Sequence, residues 1–402
     1  MTTRQAGLNA SRRGRTLPSS PIRRLAALAA DARGRGVQVI HLNIGQPDLA
    51  PPASVIQALA EAPAARLVYA PSRGLPEVVD GWVAYYRHHG LELEPDEVLV
   101  TAGASEALSL ALLSTCDVGD EVLVPEPFYA PYQGVAAIAG LRLVPVSFGL
   151  GFSPPSAEAV RARVTGATRA ILICSPNNPT GTVYGRGDLA AIGGVAREAG
   201  LYLIADETYR EIVFDGPSAT SALAIPGLEE HVVVVDSVSK RFNVCGLRIG
   251  SLATRNPHVM AAAVELAELR LAVPVVDQLA IPGALNAPRP YVDGVVATYR
   301  ERVDAVVAGL VDIPGVECHR PGGAFYVAAK LPVDDAERFA AWLLREFTLD
   351  GETVMFTPMS DFYATPGRGR DEIRIACVHD VPTLRRATRL LGGGLATYPG
   401  RD

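Results

Sequence analysis

The middle of the chain alternates short β-branched and apolar runs with segments of helical periodicity. Continuous apolar strands separated by helices are typical of a largely parallel sheet that helices cover on both faces. Ligands bind such sheets at the carboxyl ends of the strands, so residues at those ends are the candidates for chemistry. The predicted strands, some of which run into turns, are 96–103, 120–127, 141–148, 169–181, 201–207 and 231–240, with helices at 105–115 and 188–200.

The pattern changes after about residue 285. A long amphipathic helix is predicted over 291–310, a second helix over roughly 336–347 and a strand at 372–378. This composition predicts a smaller α+β domain, and a chain of 402 residues is long enough for two cores. The predicted organisation is a basic, flexible tail (1–25), a segment packed with the small domain (26–50), a large domain (51–285) and a C-terminal small domain (286–402).

Charge and composition limit the classes of partner. The net charge is −6 and the isoelectric point is near 5.7, so no general affinity for nucleic acid is expected. The N-terminal tail is the exception, and we favour a solvated terminus there over a binding site for an anionic partner. Its arginines are Arg4, Arg12, Arg13, Arg15, Arg23 and Arg24.

The cysteines and the apolar runs bear on the compartment. Five scattered cysteines without a C-x-x-C pair predict neither a disulfide framework nor a structural zinc site, which fits a reducing cytoplasm. No apolar run approaches the roughly 20 residues of a membrane span. The N-terminus also lacks the apolar segment of a signal peptide. Neither a metal site nor membrane attachment is therefore expected.

Lysine is rare in this chain, which has 35 arginines but only Lys240 and Lys330. Lys240 follows an apolar strand and lies among small polar residues in "SVSKRFNVCGLRIG". A lysine at such a position becomes a nucleophile toward aldehydes when its ammonium is desolvated or near other cations. A Schiff base of this kind holds pyridoxal 5'-phosphate (PLP). The competing interpretation is a surface lysine at a strand end.

Three further residues at strand ends suit the ring of the same cofactor. Asp206 ends an apolar strand, where a carboxylate is costly unless it is paired, and PLP needs an anion beside its pyridine nitrogen. Tyr209 and Asn178 are candidate donors to the phenolic oxygen of the ring. Taken singly, Asp206 could be a solvated strand end, Tyr209 a core residue and Asn178 part of a turn.

A phosphate site is suggested by "TAGASEAL", where a glycine turn leads into a helix. Backbone amides at a helix N-terminus bind phosphate, which makes Ala104 and Ser105 candidate ligands. Ser237 and Arg248 flank Lys240 and are candidates to complete the site. "GASEAL" alone is a weak signal.

The motifs "NPTG", "ADE-x-Y" and "S-x-SK-x-F…G-x-R-x-G" occur here in this order. Together they resemble class I/II aminotransferases of the fold-type I PLP superfamily, close to the aspartate aminotransferase-like group. The resemblance extends from "LNIGQPD" (42–48) to "EIRIACV" (372–378). It implies an α/β large domain with a mostly parallel sheet and a smaller α+β domain.

The resemblance implies roles for individual residues. Lys240 would form the Schiff base and shuttle the proton, and Asp206 would pair with the pyridine nitrogen. Arg374 would bind the substrate α-carboxylate, while Gly45 would let the backbone approach the substrate. The remaining implied cofactor contacts are Tyr129 stacked on the ring, Asn178 and Tyr209 at the phenolic oxygen, and Ala104, Ser105, Ser237 and Arg248 at the phosphate. Tyr69 would reach the phosphate of a neighbouring subunit, which implies a homodimer.

The implied reaction moves an amino group between an α-amino acid and a 2-keto acid. The alternative is another PLP reaction on the same fold, such as β- or γ-elimination or replacement, cyclisation or C–C bond formation, for example on S-adenosylmethionine in bacterial secondary metabolism. Arg270 is either a receptor for a distal carboxylate or a helix-surface arginine. A DNA-binding regulator with an aminotransferase-like sensor is disfavoured because only about 40 residues precede "LNIGQPD". A cofactor-free homologue is disfavoured by the intact set of site residues.

Overall fold

The computed structural model describes residues 10–18, 20–61, 68–216 and 218–401, so residues 1–9 and 19 of the predicted basic tail, Arg4 among them, lie outside it. In chain order the strands are β1 (Gln38–His41), β2 (Val98–Thr101), β3 (Glu121–Glu126), β4 (Arg142–Ser147), β5 (Thr168–Cys174), β6 (Tyr202–Asp206), β7 (Val232–Ser237), β8 (Gly250–Ala253), β9 (Glu317–Cys318), β10 (Tyr326–Lys330), β11 (Glu352–Met355), β12 (Thr357–Pro358) and β13 (Glu372–Ala376). The helices are α1 (Arg12–Thr16), α2 (Ala26–Gly34), α3 (Ala53–Ala60), α4 (Pro76–His88), α5 (Ala104–Thr115), α6 (Pro131–Ala139), α7 (Ala157–Arg161), α8 (Arg186–Ala199), α9 (Pro257–Glu268), α10 (Val275–Leu279), α11 (Ile281–Leu285), α12 (Arg289–Val311), α13 (Ala336–Arg345) and α14 (Val381–Thr397).

The large sheet has the strand order β2-β8-β7-β6-β5-β3-β4 among the described residues. The run from β7 to β4 is parallel throughout, whereas β8 pairs antiparallel with both β2 and β7. The predicted fold class, a mostly parallel sheet covered by helices, is confirmed. The antiparallel strand β8 was not predicted.

Both faces of the large sheet are apolar because alternate residues of each strand point to opposite sides. On one face Leu203 and Val234 pack with residues of α4 and α8. On the other face Ile204 and Val235 pack with residues of α5 and α9. Each fully buried side chain of this size contributes about 1.5–3 kcal/mol through the hydrophobic effect. The sheet is therefore a fixed platform, and its polar residues are concentrated at the strand ends.

A second core forms around two smaller sheets. One is antiparallel with the order β12-β13-β10-β9, and the other pairs β1 parallel with β11. Residues of α2, α12, α13 and α14 pack on this second core. The segment before residue 50 thus contributes a helix and a strand to it. The domain boundaries at 25, 50 and 285 remain predictions.

Two further observations limit the kinds of site. None of the helices in the described ranges is long and apolar enough to cross a membrane. The same ranges contain no group of three or more His, Cys, Asp or Glu side chains placed to hold a metal ion.

Candidate active site

A cavity of about 480 Å³ opens at the carboxyl ends of three neighbouring parallel strands. Cys174, Asp206 and Ser237, the last residues of β5, β6 and β7, all line it. Tyr326 of β10 and Arg374 of β13 close it from the small antiparallel sheet. The predicted site residues that line the cavity are Gly45, Ala104, Ser105, Tyr129, Asn178, Asp206, Tyr209, Ser237, Lys240, Arg248 and Arg374.

Tyr69 is the one predicted site residue that does not line the cavity. Its side chain is 81% exposed. Arg270 does not line the cavity either: its Nε donates to Glu106 at 2.7 Å and its Nη2 donates to the Val100 carbonyl at 2.8 Å. This guanidinium is therefore mostly buried and paired with Glu106 of α5, away from the cavity.

Lys240 lies three residues beyond the end of β7. Its Nζ donates to the Gly45 carbonyl at 2.9 Å and lies about 6 Å from the ring centroids of Tyr209 and Phe325. A Cβ at position 45 would lie 1.9 Å from the Tyr326 hydroxyl, so only glycine fits there. The lysine amine is therefore held by one backbone carbonyl and lies beside two aromatic rings.

Asp206 is buried at the end of β6 and is surrounded by donors. Its Oδ2 accepts a hydrogen bond from the Tyr132 hydroxyl at 2.7 Å. Its Oδ1 accepts from the Thr208 amide at 3.1 Å and the Thr208 hydroxyl at 2.7 Å. Burial raises the pKa of Asp206, while these hydrogen bonds and the charge of Lys240 oppose that rise. The carboxylate is thus prepared to face a cationic partner inside the cavity.

The N-terminus of α5 forms a small cradle beside Arg248. Gly103 precedes the helix with φ +80°, and a Cβ there would lie 2.6 Å from Arg248 Nη2. No side chain caps the first turn, so its amides are available to a ligand. Ser237 Oγ lies 2.7 Å from Ser239 Oγ on the same side of the cavity. A cradle of backbone amides, hydroxyls and a guanidinium fits a phosphate group.

Arg374 is buried, and two of its nitrogens are held by neighbours. Nη1 donates to Asn178 Oδ1 at 3.1 Å, and Nη2 donates to the Asn43 carbonyl at 2.7 Å. The guanidinium carbon lies 4.5 Å from the Tyr326 ring centroid. Nε is buried and has no hydrogen-bond partner within the described part of the chain. A buried, unmatched guanidinium donor fits a carboxylate ligand.

Two tyrosines of the predicted set complete the walls. The Tyr209 and Tyr326 hydroxyls lie 2.8 Å apart. Tyr129 lines the cavity beside α6, and burial raises its pKa to about 12, so its hydroxyl stays protonated at neutral pH. The walls thus present aromatic surface and neutral donors to a flat ring.

Sequence reasoning missed several residues of the cavity. Tyr132 follows Tyr129 by three residues in the segment "PEPFYAPY" (125–132), and this proximity was the available signal. Tyr326 of β10 has no comparable signal, because only tertiary packing brings this strand of the small antiparallel sheet to the cavity. The same holds for Asn43, which does not line the cavity but accepts a hydrogen bond from Arg374 through its carbonyl. Arg23 also lines the cavity, although it belongs to the predicted tail.

Comparison with known proteins gives the family. The family model "Aminotransferase class I and II" matches residues 37–391. The chain belongs to this family. It is 36% identical over 394 residues to an LL-diaminopimelate aminotransferase from Desulforudis audaxviator, with 96% of this chain and 97% of that protein covered. It is 32% identical to an aspartate/prephenate aminotransferase from Thermus thermophilus, covering 95% and 98%.

Solved aminotransferase structures have the same fold. Aspartate aminotransferase from Thermus thermophilus with maleate superposes with a TM-score of 0.87 at 30% identity, covering 96% of this chain and 100% of that one. N-succinyldiaminopimelate aminotransferase from Mycobacterium tuberculosis gives 0.86 at 33% identity, covering 96% and 100%. The protein is a PLP-dependent aminotransferase acting on small-molecule substrates, so transamination is favoured over the other PLP reactions.

Proposed function

We propose that this aminotransferase holds its cofactor through Lys240 and Asp206 and transfers the amino group at the cavity described above. The observation that carries the proposal is the convergence of one lysine, one buried carboxylate and one buried arginine with an unmatched donor. Bound PLP carries the amino group between donor and acceptor and accepts electron density from the substrate Cα. The side chains of the protein hold the proton and the charges that this chemistry requires.

Lys240 is the proton carrier in this proposal. Its Nζ would hold the cofactor covalently, and as a free amine it would take the proton from the substrate Cα and return it to the cofactor carbon that carries the transferred nitrogen. A guanidinium cannot replace it, since arginine does not lose its proton.

Asp206 and Arg374 set the charges at the two ends of the reacting system. Asp206 holds a proton on the pyridine nitrogen, which keeps the ring able to accept electrons. Arg374 binds the α-carboxylate and so fixes which bond at Cα faces Lys240. Asn178 and Tyr209 donate to the phenolic oxygen, and Tyr129 packs on the ring. We infer that the phosphate binds at Ala104, Ser105, Ser237 and Arg248, and that Gly45 leaves room for the substrate.

Lys330, the other lysine of the chain, provides a control for substitution of Lys240. Lys330 lies at the end of β10 with its side chain 51% exposed and 3.6 Å from Asp371, away from the cavity. We expect Lys240→Ala to lose covalently attached cofactor and all measurable turnover, whereas Lys330→Ala keeps both. Borohydride reduction followed by peptide mass analysis reports the attachment site, and the visible absorbance of the cofactor reports its binding. Cofactor trapped on Lys330, or on neither lysine, would contradict the proposal.

A half-reaction identifies the amino donor. With an amino acid and no keto acid present, a transaminase converts its bound cofactor to the aminated form and releases one equivalent of a 2-keto acid. We expect this conversion with at least one member of an amino acid panel. Release of a thioether from S-adenosylmethionine without formation of the aminated cofactor would instead favour the alternative chemistry.

We also propose that the enzyme is a homodimer in which Tyr69 contacts the cofactor phosphate of the partner subunit. The Tyr69 side chain is 81% exposed and does not line the cavity of its own chain, so it is available to a partner subunit. Co-expression of Lys240→Ala with Tyr69→Ala tests the arrangement. A mixed dimer has one site with both residues intact, so we expect activity that neither variant shows alone. A monomer by analytical ultracentrifugation contradicts it.

We infer a reducing compartment, the cytoplasm, from the five cysteines, all of which are free thiols. Fractionation of the source cells with detection of the protein tests this placement.

A further inference from the structure

The Tyr209 hydroxyl has two possible acceptors for its single proton. In the proposed function Tyr209 donates to the phenolic oxygen of the cofactor. Its hydroxyl also lies 2.8 Å from the Tyr326 hydroxyl, and either oxygen can be the donor in that pair. A phenol hydroxyl has one proton to donate, although it can accept as well. Tyr209 can therefore serve the cofactor only if Tyr326 is the donor of the pair.

Tyr326 has no other hydrogen-bond partner among the described residues. It is buried, and it is the first residue of β10. Its hydroxyl makes one hydrogen bond within the described part of the chain, the one with Tyr209. The hydroxyl also lies so close to Gly45 that a Cβ at position 45 would collide with it. A buried hydroxyl without a partner is costly, so when Tyr209 donates to a ligand, the Tyr326 proton is left to the Tyr209 oxygen.

The charges around the pair favour the same direction. The Arg374 guanidinium carbon lies 4.5 Å from the centroid of the Tyr326 ring. A cation on the face of a phenol attracts the electron density of the ring, which makes the hydroxyl a better donor and a poorer acceptor. Burial raises the pKa of Tyr209, and the neighbouring Tyr326, Tyr129 and Cys174 act in the same direction. Tyr209 therefore keeps a proton to donate at neutral pH, while its oxygen can accept from Tyr326.

The two rings are fixed relative to each other by packing. The Tyr209 and Tyr326 ring centroids lie 5.7 Å apart with an interplanar angle of 77°, and Phe325 packs edge-on against Tyr209 with the centroids 5.3 Å apart. Tyr209 follows β6 of the large sheet, whereas Tyr326 belongs to the small antiparallel sheet. Lys240 Nζ lies 6.0 Å from the centroid of the Tyr209 ring. The hydroxyl pair is therefore a fixed bridge between the two sheets, beside the lysine of the proposed covalent bond.

We propose that Tyr326 is a positioning residue whose hydroxyl donates to Tyr209 and so directs the Tyr209 proton to the phenolic oxygen of the cofactor. The inference rests on the proposed function of the cavity. Hydrogen bonds in such a chain strengthen each other, so Tyr209 becomes a stronger donor than it would be alone. A stronger donor draws electron density from the phenolic oxygen and weakens the hold of that oxygen on the proton of the Schiff base nitrogen. Tyr326 therefore lowers the pH at which the Schiff base on Lys240 loses its proton.

The absorbance of the bound cofactor as a function of pH reports this effect without turnover. We expect Tyr326→Phe to raise the pKa of the Schiff base by about 0.5, a roughly threefold decrease in its proton-dissociation constant. Tyr209→Phe should raise this pKa further, because it removes the donor itself. The double variant should match Tyr209→Phe alone, since Tyr326 acts only through Tyr209. The control is Tyr299→Phe, which removes a hydroxyl from a ring that packs 4.7 Å from the Phe325 centroid without lining the cavity, and it should leave the pKa unchanged.

A second substitution separates a donor from a residue that only packs. Incorporation of 3-fluorotyrosine at position 326 keeps the ring and makes the hydroxyl a stronger donor, so the pKa of the Schiff base should fall below the wild-type value. This measurement decides the matter if Tyr326→Phe does not fold. An unchanged pKa in Tyr326→Phe, additive effects in the double variant, or a rise with the fluorinated residue overturns the proposal.

Tyr209→Phe distinguishes this failure from failure of the proposed function. If Tyr209→Phe raises the pKa of the Schiff base and Tyr326→Phe does not, only the role of Tyr326 is wrong. If neither substitution changes it, the contact between Tyr209 and the phenolic oxygen is wrong as well.

Discussion

The charged residues at the carboxyl ends of β6 and β7 form two groups, one of which lines the cavity while the other is buried away from it. Asp206 and Lys240 line the cavity. Their neighbours Glu207 and Arg241 point away from the cavity and lie in a group of charged residues that are each at most 5% exposed. We call this group the buried charge cluster, and its members are Glu207, Arg210, Glu211, Asp236 and Arg241.

The buried charge cluster compensates its charges internally. Arg241 pairs with Asp236, and Glu207 accepts hydrogen bonds from the Ser221 hydroxyl at 2.9 Å and the Ala222 amide at 2.8 Å. The Arg210 guanidinium packs 5.1 Å from the Tyr85 ring centroid. Several cluster atoms, among them Arg210 Nη2 and Arg241 Nε, still lack a hydrogen-bond partner in the described chain, as Arg374 Nε does in the cavity. The difference lies in ion pairing, because neither the Arg374 nor the Arg23 guanidinium pairs with a carboxylate of the described residues. Arginines without a carboxylate partner on a cavity therefore indicate ligands, whereas ion pairs in the interior indicate a structural role.

The largest expected effect comes from the cavity side. Asp206→Asn keeps the shape and most hydrogen bonds of the side chain but cannot hold a proton on the pyridine nitrogen. We expect kcat/KM to fall at least about 1000-fold, which corresponds to about 4 kcal/mol. The free energy of unfolding should not fall, because a buried charge is replaced by a neutral amide. Steady-state kinetics and urea unfolding measure the two quantities. If Asp206→Asn lost stability but kept its activity, Asp206 would be a structural residue and not a residue that acts on the cofactor.

The next effect comes from the buried charge cluster. Arg241→Met removes the counter-ion of Asp236 and leaves its carboxylate buried, which we expect to cost at least about 3 kcal/mol of unfolding free energy. The double variant Arg241→Met with Asp236→Leu should recover most of that loss, since both charges are then absent. Urea unfolding at neutral pH measures both. A single variant within about 1 kcal/mol of wild type would show that this pair is not structural.

The comparison also shows what sequence alone could predict. The four valines at 232–235, followed by Ser237 and Lys240, predict a buried strand with chemistry at its end, and the parallel fold class that it implies is confirmed. Strand β8 escaped prediction because four residues of "GSLA" carry little periodicity, and its antiparallel place between β2 and β7 depends on tertiary pairing.

The sequence predicts where the strands end, but it does not predict which charged side chain at each end faces the cavity. Asp206 and Glu207 are adjacent acids of the same type in the sequence, and nothing local says which one faces a ligand. Strand alternation separates them only once the apolar faces are known. Arg23 is further still from prediction, because its position depends on the contact between Ile22 and Asn43, which are 21 residues apart.

The smallest effect is a pH dependence within the buried charge cluster. Burial raises the pKa of Glu207 from 4.5 to about 7, against the charge of Arg210. Burial also acts on Glu211, but a hydrogen bond from His89 and the charge of Arg241 outweigh it and lower the pKa to about 2. Between about pH 4.5 and 7 the folded state then binds the Glu207 proton more strongly than the unfolded state, so stability falls as pH rises.

The ionised Glu211 carboxylate contributes stability that is present above about pH 4.5 and is lost as the pH falls from 4.5 toward 2. In that lower pH range the free energy of unfolding therefore rises with pH, which is the opposite of the effect of Glu207. For Glu207, the rise in pKa from 4.5 to about 7 corresponds to at most about 3–4 kcal/mol of stability lost between pH 4.5 and 7. Urea unfolding of wild type and Glu207→Gln across this range should diverge by up to that amount, with Glu211→Gln parallel to wild type. If the wild-type and Glu207→Gln curves stay parallel, Glu207 is already ionised in the fold. The cluster would then hold three carboxylates against two arginines, and its surplus charge would have to be balanced at its edge by His89 and Arg289, which contact Glu211 at 3.0 and 3.5 Å.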